Sequence, residues 1–406
     1  MTAMSTLLAL FAALLLIPCA VLLVQVLAAL LPARLNAAEP LQTGAFNTQT
    51  AVCLLMPAHN EAGGIASVLQ ALMPQLGPHT RLLVVADNCS DATAAIARAV
   101  GGSTGFVEVL ERQDDRLRGK GYALDHGIRH LAKAAPHVVL VMDADCTLEP
   151  GSIDTLATHC MVTGRPVQAL DLMQAPVGGS VKTLLAEFAW LVKNKVRALG
   201  YLRLGLPCQL MGTGMAFTWA HISQAKLNTG HIVEDMQLGI DLARSGTPPL
   251  FCPDALVTSL FPSAEAGLQA QRTRWEHGHL GVIFTQAPGL LWQSVMGANW
   301  ALLAMALDLC VPPLALLTLL SSSVVAAGAV LAGLGGSALP VLLAVIASAM
   351  LGLAVLLAWV WFGRDVISFK QLCSVPLYVL AKIPLYFYFF VKRQTGWVRS
   401  KRDGEL

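Results

Sequence analysis

Asp143 and Asp145 stand two residues apart, with Ala144 between them, at the end of the apolar run 138–142. Two carboxylates placed so at the end of a buried strand can hold a divalent cation against a diphosphate. That pair makes a nucleotide-using enzyme the first expectation for a chain whose apolar pattern alone would indicate only an α/β core.

Two further apolar runs end in polar groups. The run 51–56 is stopped by Pro57 and followed by Ala58, His59, Asn60 and Glu61; the run 81–86 ends in Asp87, Asn88, Cys89, Ser90 and Asp91. Asp87 can accept a donor from a base or a ribose, while Asn88, Ser90 and Asp91 can shape the turn and cap the following helix. Between the second and third runs lies Arg116-Leu-Arg118-Gly119-Lys120-Gly121, which lacks Walker spacing. Its glycines can still bring Lys120 to a phosphate at a helix start, the alternative being a solvated surface lysine.

Later in the chain, Gly212, Thr213 and Gly214 interrupt an apolar stretch. Glycines there permit close backbone approach to a bound group, or make an ordinary packed turn. Glu234 and Asp235 enter an amphipathic helix. Acids at a helix start favour its positive end, yet beside a metal site one of them is also a suitable general base for an acceptor hydroxyl, with His231 as an alternative. The last element carries Gln271, Arg272, Arg274 and Trp275. Its arginines can fork onto phosphate, and its indole can stack on a sugar ring. An amphipathic helix at the membrane interface would read the same way.

The elements that must position these groups alternate strand and helix from residue 50 to 290, the pattern of a parallel sheet whose ligands gather beyond the strand C-termini. A parallel arrangement brings the ends near Met56, Ala86 and Met142 to one edge. A further helical pattern, 180–199, spaces Glu187, Trp190, Lys193 and Arg197 for surface pairs, a groove or lipid headgroups.

Apolar segments flank this middle. Residues 4–31 are long enough to cross a bilayer, and with no Lys or Arg before Met4 they read as a retained anchor rather than a signal peptide. Residues 300–318, containing Pro312 and Pro313, and 339–362 read as spans; 321–337 is an external hairpin or a third short span. Residues 369–391, with Lys370, Lys382 and Pro384, suit an interfacial or re-entrant helix, with a full span as the alternative. The expected division is 1–35 anchor, 50–290 catalytic domain, 296–364 membrane helices, and 365–406 interfacial helix and basic tail.

Basic residues orient the chain by the positive-inside rule. Arg34, Arg364, Lys370 and the tail Lys392, Arg393, Arg399, Lys401 and Arg402 place the hydrophilic middle in the cytoplasm and the N-terminus outside. Composition agrees, since 55% of residues are hydrophobic and only 13% charged, with a mean hydropathy of +0.61. A net charge of +2 with 27 dispersed Lys and Arg gives no nucleic-acid footprint. Nine cysteines without CxxC spacing indicate neither a disulfide scaffold nor a zinc site, and Cys89 and Cys146 are expected to be ordinary reduced thiols.

Taken in order, Pro57-Ala-His-Asn-Glu61, Asp87, Asp143-Ala-Asp145, Glu234-Asp235 and Gln271-Arg-Thr-Arg274-Trp275 resemble the family 2 glycosyltransferases. The likeness is greatest to the membrane-integrated branch of cellulose, hyaluronan and poly-N-acetylglucosamine synthases and ceramide glucosyltransferases. The resemblance implies a GT-A (Rossmann-like) fold, a nucleotide-sugar donor, Mg²⁺ or Mn²⁺, and inversion at the anomeric carbon. It implies that Pro57, Ala58, Glu61, Asp87, Lys120, Asp143 and Ala144 lie on the donor, and that Asp145 holds the metal. Asp235 would be the base, and Gly212, Thr213, Gly214, Glu234, Gln271, Arg274 and Trp275 would lie on the acceptor and diphosphate. With about two clear spans after the last motif and no extra domain, transfer to a lipid-linked acceptor at the inner-membrane face is expected. A polysaccharide synthase working with partner subunits and a non-catalytic scaffold are the alternatives.

Overall fold

The computed structural model describes residues 2–32, 50–102, 104–262 and 265–391. Arg34 and the basic residues Lys392, Arg393, Arg399, Lys401 and Arg402 lie outside them. The described residues form two compact units, one of 50–176 and 207–275, the other of 2–32, 177–206 and 276–391.

The first unit is built on one eight-stranded sheet. Its strands are β1 (Val52–Ala58), β2 (Thr80–Asp87), β3 (Val107–Arg112), β4 (Val138–Val141), β5 (Thr147–Leu148), β6 (Val167–Gln174), β7 (Met215–Thr218) and β8 (Leu250–Leu260), in the order β3-β2-β1-β4-β7-β6-β8-β5. The strands β1 and β4, and β2 from Leu82 to Ala86, are apolar runs, as suits strands with both sheet faces covered. Ile65–Leu72 and Ser152–Thr163 pack on one face, and Lys120–Leu131 and Glu234–Arg244 on the other. The pairs β3-β2, β2-β1 and β1-β4 are parallel, so the ends of β1, β2 and β4 do reach one edge. The rest is mixed: β6 and β8 are parallel, whereas β7 is antiparallel to both β4 and β6, and β5 to β8. The insertion of β7 carries the turn before it, with its two glycines, to the C-terminal edge of β4.

The second unit is helical. Thr2–Ala29, Leu314–Gly333, Leu339–Gly363 and Phe369–Phe389 are each long and apolar enough to cross a membrane by length and composition. The expected span 300–318 is instead two helices. Trp300–Leu309 is capped at its start by Asn299, whose side chain accepts the Leu302 N–H at 3.0 Å. It stops before Pro312 and Pro313, which cannot donate to a helix, and Leu314 opens the next. That next helix takes in most of 321–337, so an external hairpin is not what forms there. Residues 369–391 comprise three short helices, Phe369–Leu372, Val375–Ala381 and Ile383–Val391.

Within this unit Arg197 is not a surface residue. It ends the π-helical turn Val192–Arg197 that continues Val181–Leu191 and is only 6% exposed. Its guanidinium donates to Asp308 Oδ1 at 2.7 Å, to the Asp308 carbonyl at 2.7 Å and to Gln25 Oε1 at 3.1 Å. Gln25 Nε2 closes the triangle on Asp308 at 2.6 Å. Removing one partner from a buried pair strands the other charge. Arg197→Met is therefore expected to destabilise the protein by about 3–5 kcal/mol, measured as a fall in its melting temperature in detergent. The double change Arg197→Met with Asp308→Leu should recover most of that loss.

Candidate active site

The loops after β1 and β2 are locked to each other. Asn60 and Asn88 both adopt left-handed backbone, at φ 54° and 50°, a conformation Asn tolerates better than most residues. The Asn60 side chain accepts the Ser90 N–H at 2.7 Å, Thr93 Oγ1 accepts the Glu61 N–H at 2.7 Å, and Asp91 accepts the Ala62 N–H at 3.1 Å. Asp87 is 6% exposed. Its carboxylate receives Arg112 at 2.6 Å and the Asn88 amide at 3.2 Å. Arg112, which sequence reasoning passed over, also lies over the Tyr122 ring at 5.7 Å from its centroid. The end of a strand gave no signal that its last residue reaches back to a neighbouring strand's carboxylate.

The central cluster gathers residues from four places in the chain. Lys120 opens the helix Lys120–Leu131, and its Nζ donates to Asp143 Oδ1 at 2.5 Å and to the Gly212 carbonyl at 2.7 Å, with Glu234 Oε1 at 3.9 Å. It is a buried cation rather than a solvated one, its side chain 17% exposed. Glu234 and Asp235 open the helix Glu234–Arg244. Gly212, at φ +95°, passes close to Asp235, since a Cβ there would stand 3.4 Å from Asp235 Oδ2. Thr213 Oγ1 accepts the Asp143 N–H at 3.2 Å. The turn 212–214 is thus part of the cluster rather than a plain packed turn.

Burial by itself would lower the Lys120 ammonium, but Asp143, Glu234 and Asp235 around it raise it, so the lysine stays charged. Burial pushes the Glu234 carboxyl up to about 7, Lys120 pulling it down and Asp235 and Asp143 pushing it further up. Asp143, Glu234 and Asp235 all act on Lys120, and Asp145 stands two residues after Asp143. Carboxylates gathered in this way are groups a divalent cation can bind. The donors for it are in reach: ligand atoms of Asp143, Asp145 and Cys146 all lie within 4.8 Å of one another. Two half-exposed carboxylate oxygens suit a hard cation such as Mg²⁺ or Mn²⁺. Cys146 is buried, and burial and the surrounding acids push its thiol well up, which leaves the two aspartates as the candidate ligands for a hard cation.

One residue that sequence reasoning did not single out holds this arrangement. Gln168 in β6 is fully buried. Its Oε1 accepts the Met211 N–H at 2.8 Å, and its Nε2 donates to the Thr213 carbonyl at 2.8 Å and to the Ala169 carbonyl at 2.9 Å. The sequence signal was an amide flanked by Val167 and Ala169, in a strand that also carries Asp171 and Gln174.

The remaining candidates are placed less tightly. Pro57 and Ala58 end β1, with Ala58 buried. Gly214, at φ +65°, packs against Ala169 and Val257, where a Cβ would come within 2.8 Å of both. Gln271, Arg274 and Trp275 ride on the long helix Glu265–Met296; Gln271 is buried, and its Oε1 has no hydrogen-bond partner among the described residues. His231 is exposed, in the loop before Glu234.

Comparison with known proteins bears on these residues. The model of the family described as "Glycosyltransferase like family 2" matches residues 50–278, the stretch that holds every candidate above. The probable glycosyltransferase YdaM of Bacillus subtilis (strain 168) is 27% identical over 252 residues, 57% of this chain and 56% of that protein. The chain thus aligns with little more than half of the curated relative's length. Among solved structures, the mannosyltransferase PcManGT from Pyrobaculum calidifontis, in complex with GDP-Man and Mn²⁺, superposes with a TM-score of 0.55 at 17% identity, covering 95% of this chain and 100% of that one. That likeness is one of fold.

Proposed function

The chain belongs to glycosyltransferase-like family 2, and we propose that it is an inverting, metal-dependent enzyme moving a sugar from a nucleotide-sugar donor, a UDP-sugar first among the candidates, to a lipid-linked or growing glycan acceptor at the cytoplasmic face of a bacterial inner membrane. The observation that carries the reading is the cluster of Lys120, Asp143, Gly212, Thr213, Glu234 and Asp235, where a buried lysine meets three carboxylates at a sheet edge. A scaffold without catalysis would have no use for buried charges so arranged.

Inverting transfer needs a base on the acceptor hydroxyl and stabilisation of the departing diphosphate on the opposite side. Asp235 is the base. Glu234, its carboxyl raised by burial, serves the acceptor side as a hydrogen-bonding group. Asp143 and Asp145 are the residues that would hold Mg²⁺ or Mn²⁺, which when bound supplies positive charge to the leaving diphosphate. Lys120 adds a second fixed positive charge there, held in place by the Gly212 carbonyl. Asp87, fixed by Arg112, takes the nucleoside, and Pro57, Ala58, Glu61 and Ala144 line the donor side. Gln271, Arg274 and Trp275 hold diphosphate and acceptor.

A lipid-linked acceptor is supported by four helices, among the described residues, that are long and apolar enough to cross a membrane. Three of them follow the helix bearing Gln271, Arg274 and Trp275, one more than the sequence indicated. That number favours the second reading, a subunit that extends a polymer with membrane partners. The two separate in one assay: detergent-purified protein, Mn²⁺, membrane lipid extract and a panel of radiolabelled UDP- and GDP-sugars, followed by chromatography of lipid and polymer. Label in a discrete lipid band is expected. Immobile high-mass label would move the assignment to polymer synthesis, and no transfer from any donor would remove it.

A further inference from the structure

We propose that Gln168 is a positioning residue of the transfer site, holding the turn at Gly212 so that its carbonyl faces Lys120 and the Thr213 hydroxyl faces the Asp143 backbone. The inference rests on the reading of that cluster as the donor-diphosphate site. A primary amide with no exposed surface, in the middle of a sheet, is costly unless it is fully bonded. Gln168 is bonded on both ends, and two of its three bonds go to the backbone on either side of one residue, Met211 N–H and Thr213 carbonyl about Gly212.

That residue is the one whose backbone needs holding. Gly212 lies at φ +95°, outside what a side chain would accept, and the turn makes no strand pairing of its own until Met215. The neighbouring strand also holds the far end of the turn, where the Ala169 N–H donates to the Gly214 carbonyl at 2.8 Å. With Gln168 in place, the turn offers two groups to the site: the Gly212 carbonyl, which receives Lys120 Nζ at 2.7 Å, and Thr213 Oγ1, which receives the Asp143 N–H at 3.2 Å. Gln168 touches neither donor nor metal in this arrangement; it acts through the turn.

The test is calorimetric titration of UDP and of GDP, each with Mn²⁺, into detergent-purified wild type, Gln168→Met, Thr213→Val and the double variant. For whichever nucleotide binds, Gln168→Met should raise Kd about tenfold at unchanged stoichiometry, and the double variant should be no worse than the weaker single, because both act on one turn. A purely structural role would lower the bound stoichiometry through unfolded protein and leave Kd alone; that result, or losses that multiply, overturns the proposal. Should Gln168→Met not fold, Gln168→Asn keeps an amide one methylene short of Met211 and Thr213 and must still weaken Kd. If wild type binds neither nucleotide, the underlying site reading fails, and this inference with it. If wild type binds and both Gln168 variants match it, the clamp alone is wrong.

Discussion

Asp235→Asn should lower sugar transfer by about 10²- to 10⁴-fold, the usual worth of a positioned general base. Mn²⁺-dependent nucleoside-diphosphate binding should stay within about threefold of wild type, as expected when only an interaction made in the transition state is removed. Asparagine keeps the size and the polar contacts of the first helical turn but has no basic oxygen. The position of Asp235 makes the expectation specific, since its carboxylate lies beside Gly212, while Glu234 turns towards Lys120. Rate and binding of the same preparation check it. If Asp235→Asn retains wild-type turnover and Glu234→Gln does not, the base is Glu234, and its high-lying carboxyl becomes the group that takes the acceptor proton.

The second large effect belongs to the metal pair. Asp145→Asn should lower turnover by about 10³-fold, corresponding to about 4 kcal/mol of lost leaving-group stabilisation, and should abolish the response of nucleotide binding to Mn²⁺. Asp143→Asn has an additional consequence. Its carboxylate pairs with Lys120, so the amide leaves the lysine with a weaker partner beside Glu234 and Asp235 and disturbs the acceptor side too. Asp145→Asn is the cleaner probe of metal binding, and an Asp145→Asn enzyme with unchanged Mn²⁺ dependence would transfer the ligand role to other residues.

Much of the site was legible because its chemistry sits at the ends of apolar strands. The runs before Pro57, Asp87 and Asp143 are buried from both faces, so composition alone marked them as central strands, and their parallel pairing put their ends together. The turn at Gly212 was visible as glycine in an apolar stretch, but its membership of the cluster was not. That depends on β7, a four-residue antiparallel strand, too short to show any period. Gln168 was invisible for a related reason: its bonds run to residues 43 and 45 positions away, and one amide among apolar neighbours carries no local sign of a distant partner. Arg197 read as one of several polar residues at helical spacing, whereas its partners Gln25 and Asp308 lie 172 and 111 residues away. The expected span over 300–318 divides because Pro312 and Pro313, two consecutive residues without an N–H, end one helix and let the next begin at Leu314.

In the proposed mechanism Asp143 and Asp145 form a cation-dependent diphosphate site beside Lys120. Calorimetric titration of UDP and GDP into the purified protein, with Mn²⁺ and with chelator, in wild type and Asp145→Asn, tests it without knowledge of the sugar or the acceptor. At least one nucleotide should bind wild type only with Mn²⁺, and that dependence should be lost in Asp145→Asn. Binding equally tight with chelator, or absent for both nucleotides with Mn²⁺ present, would contradict it.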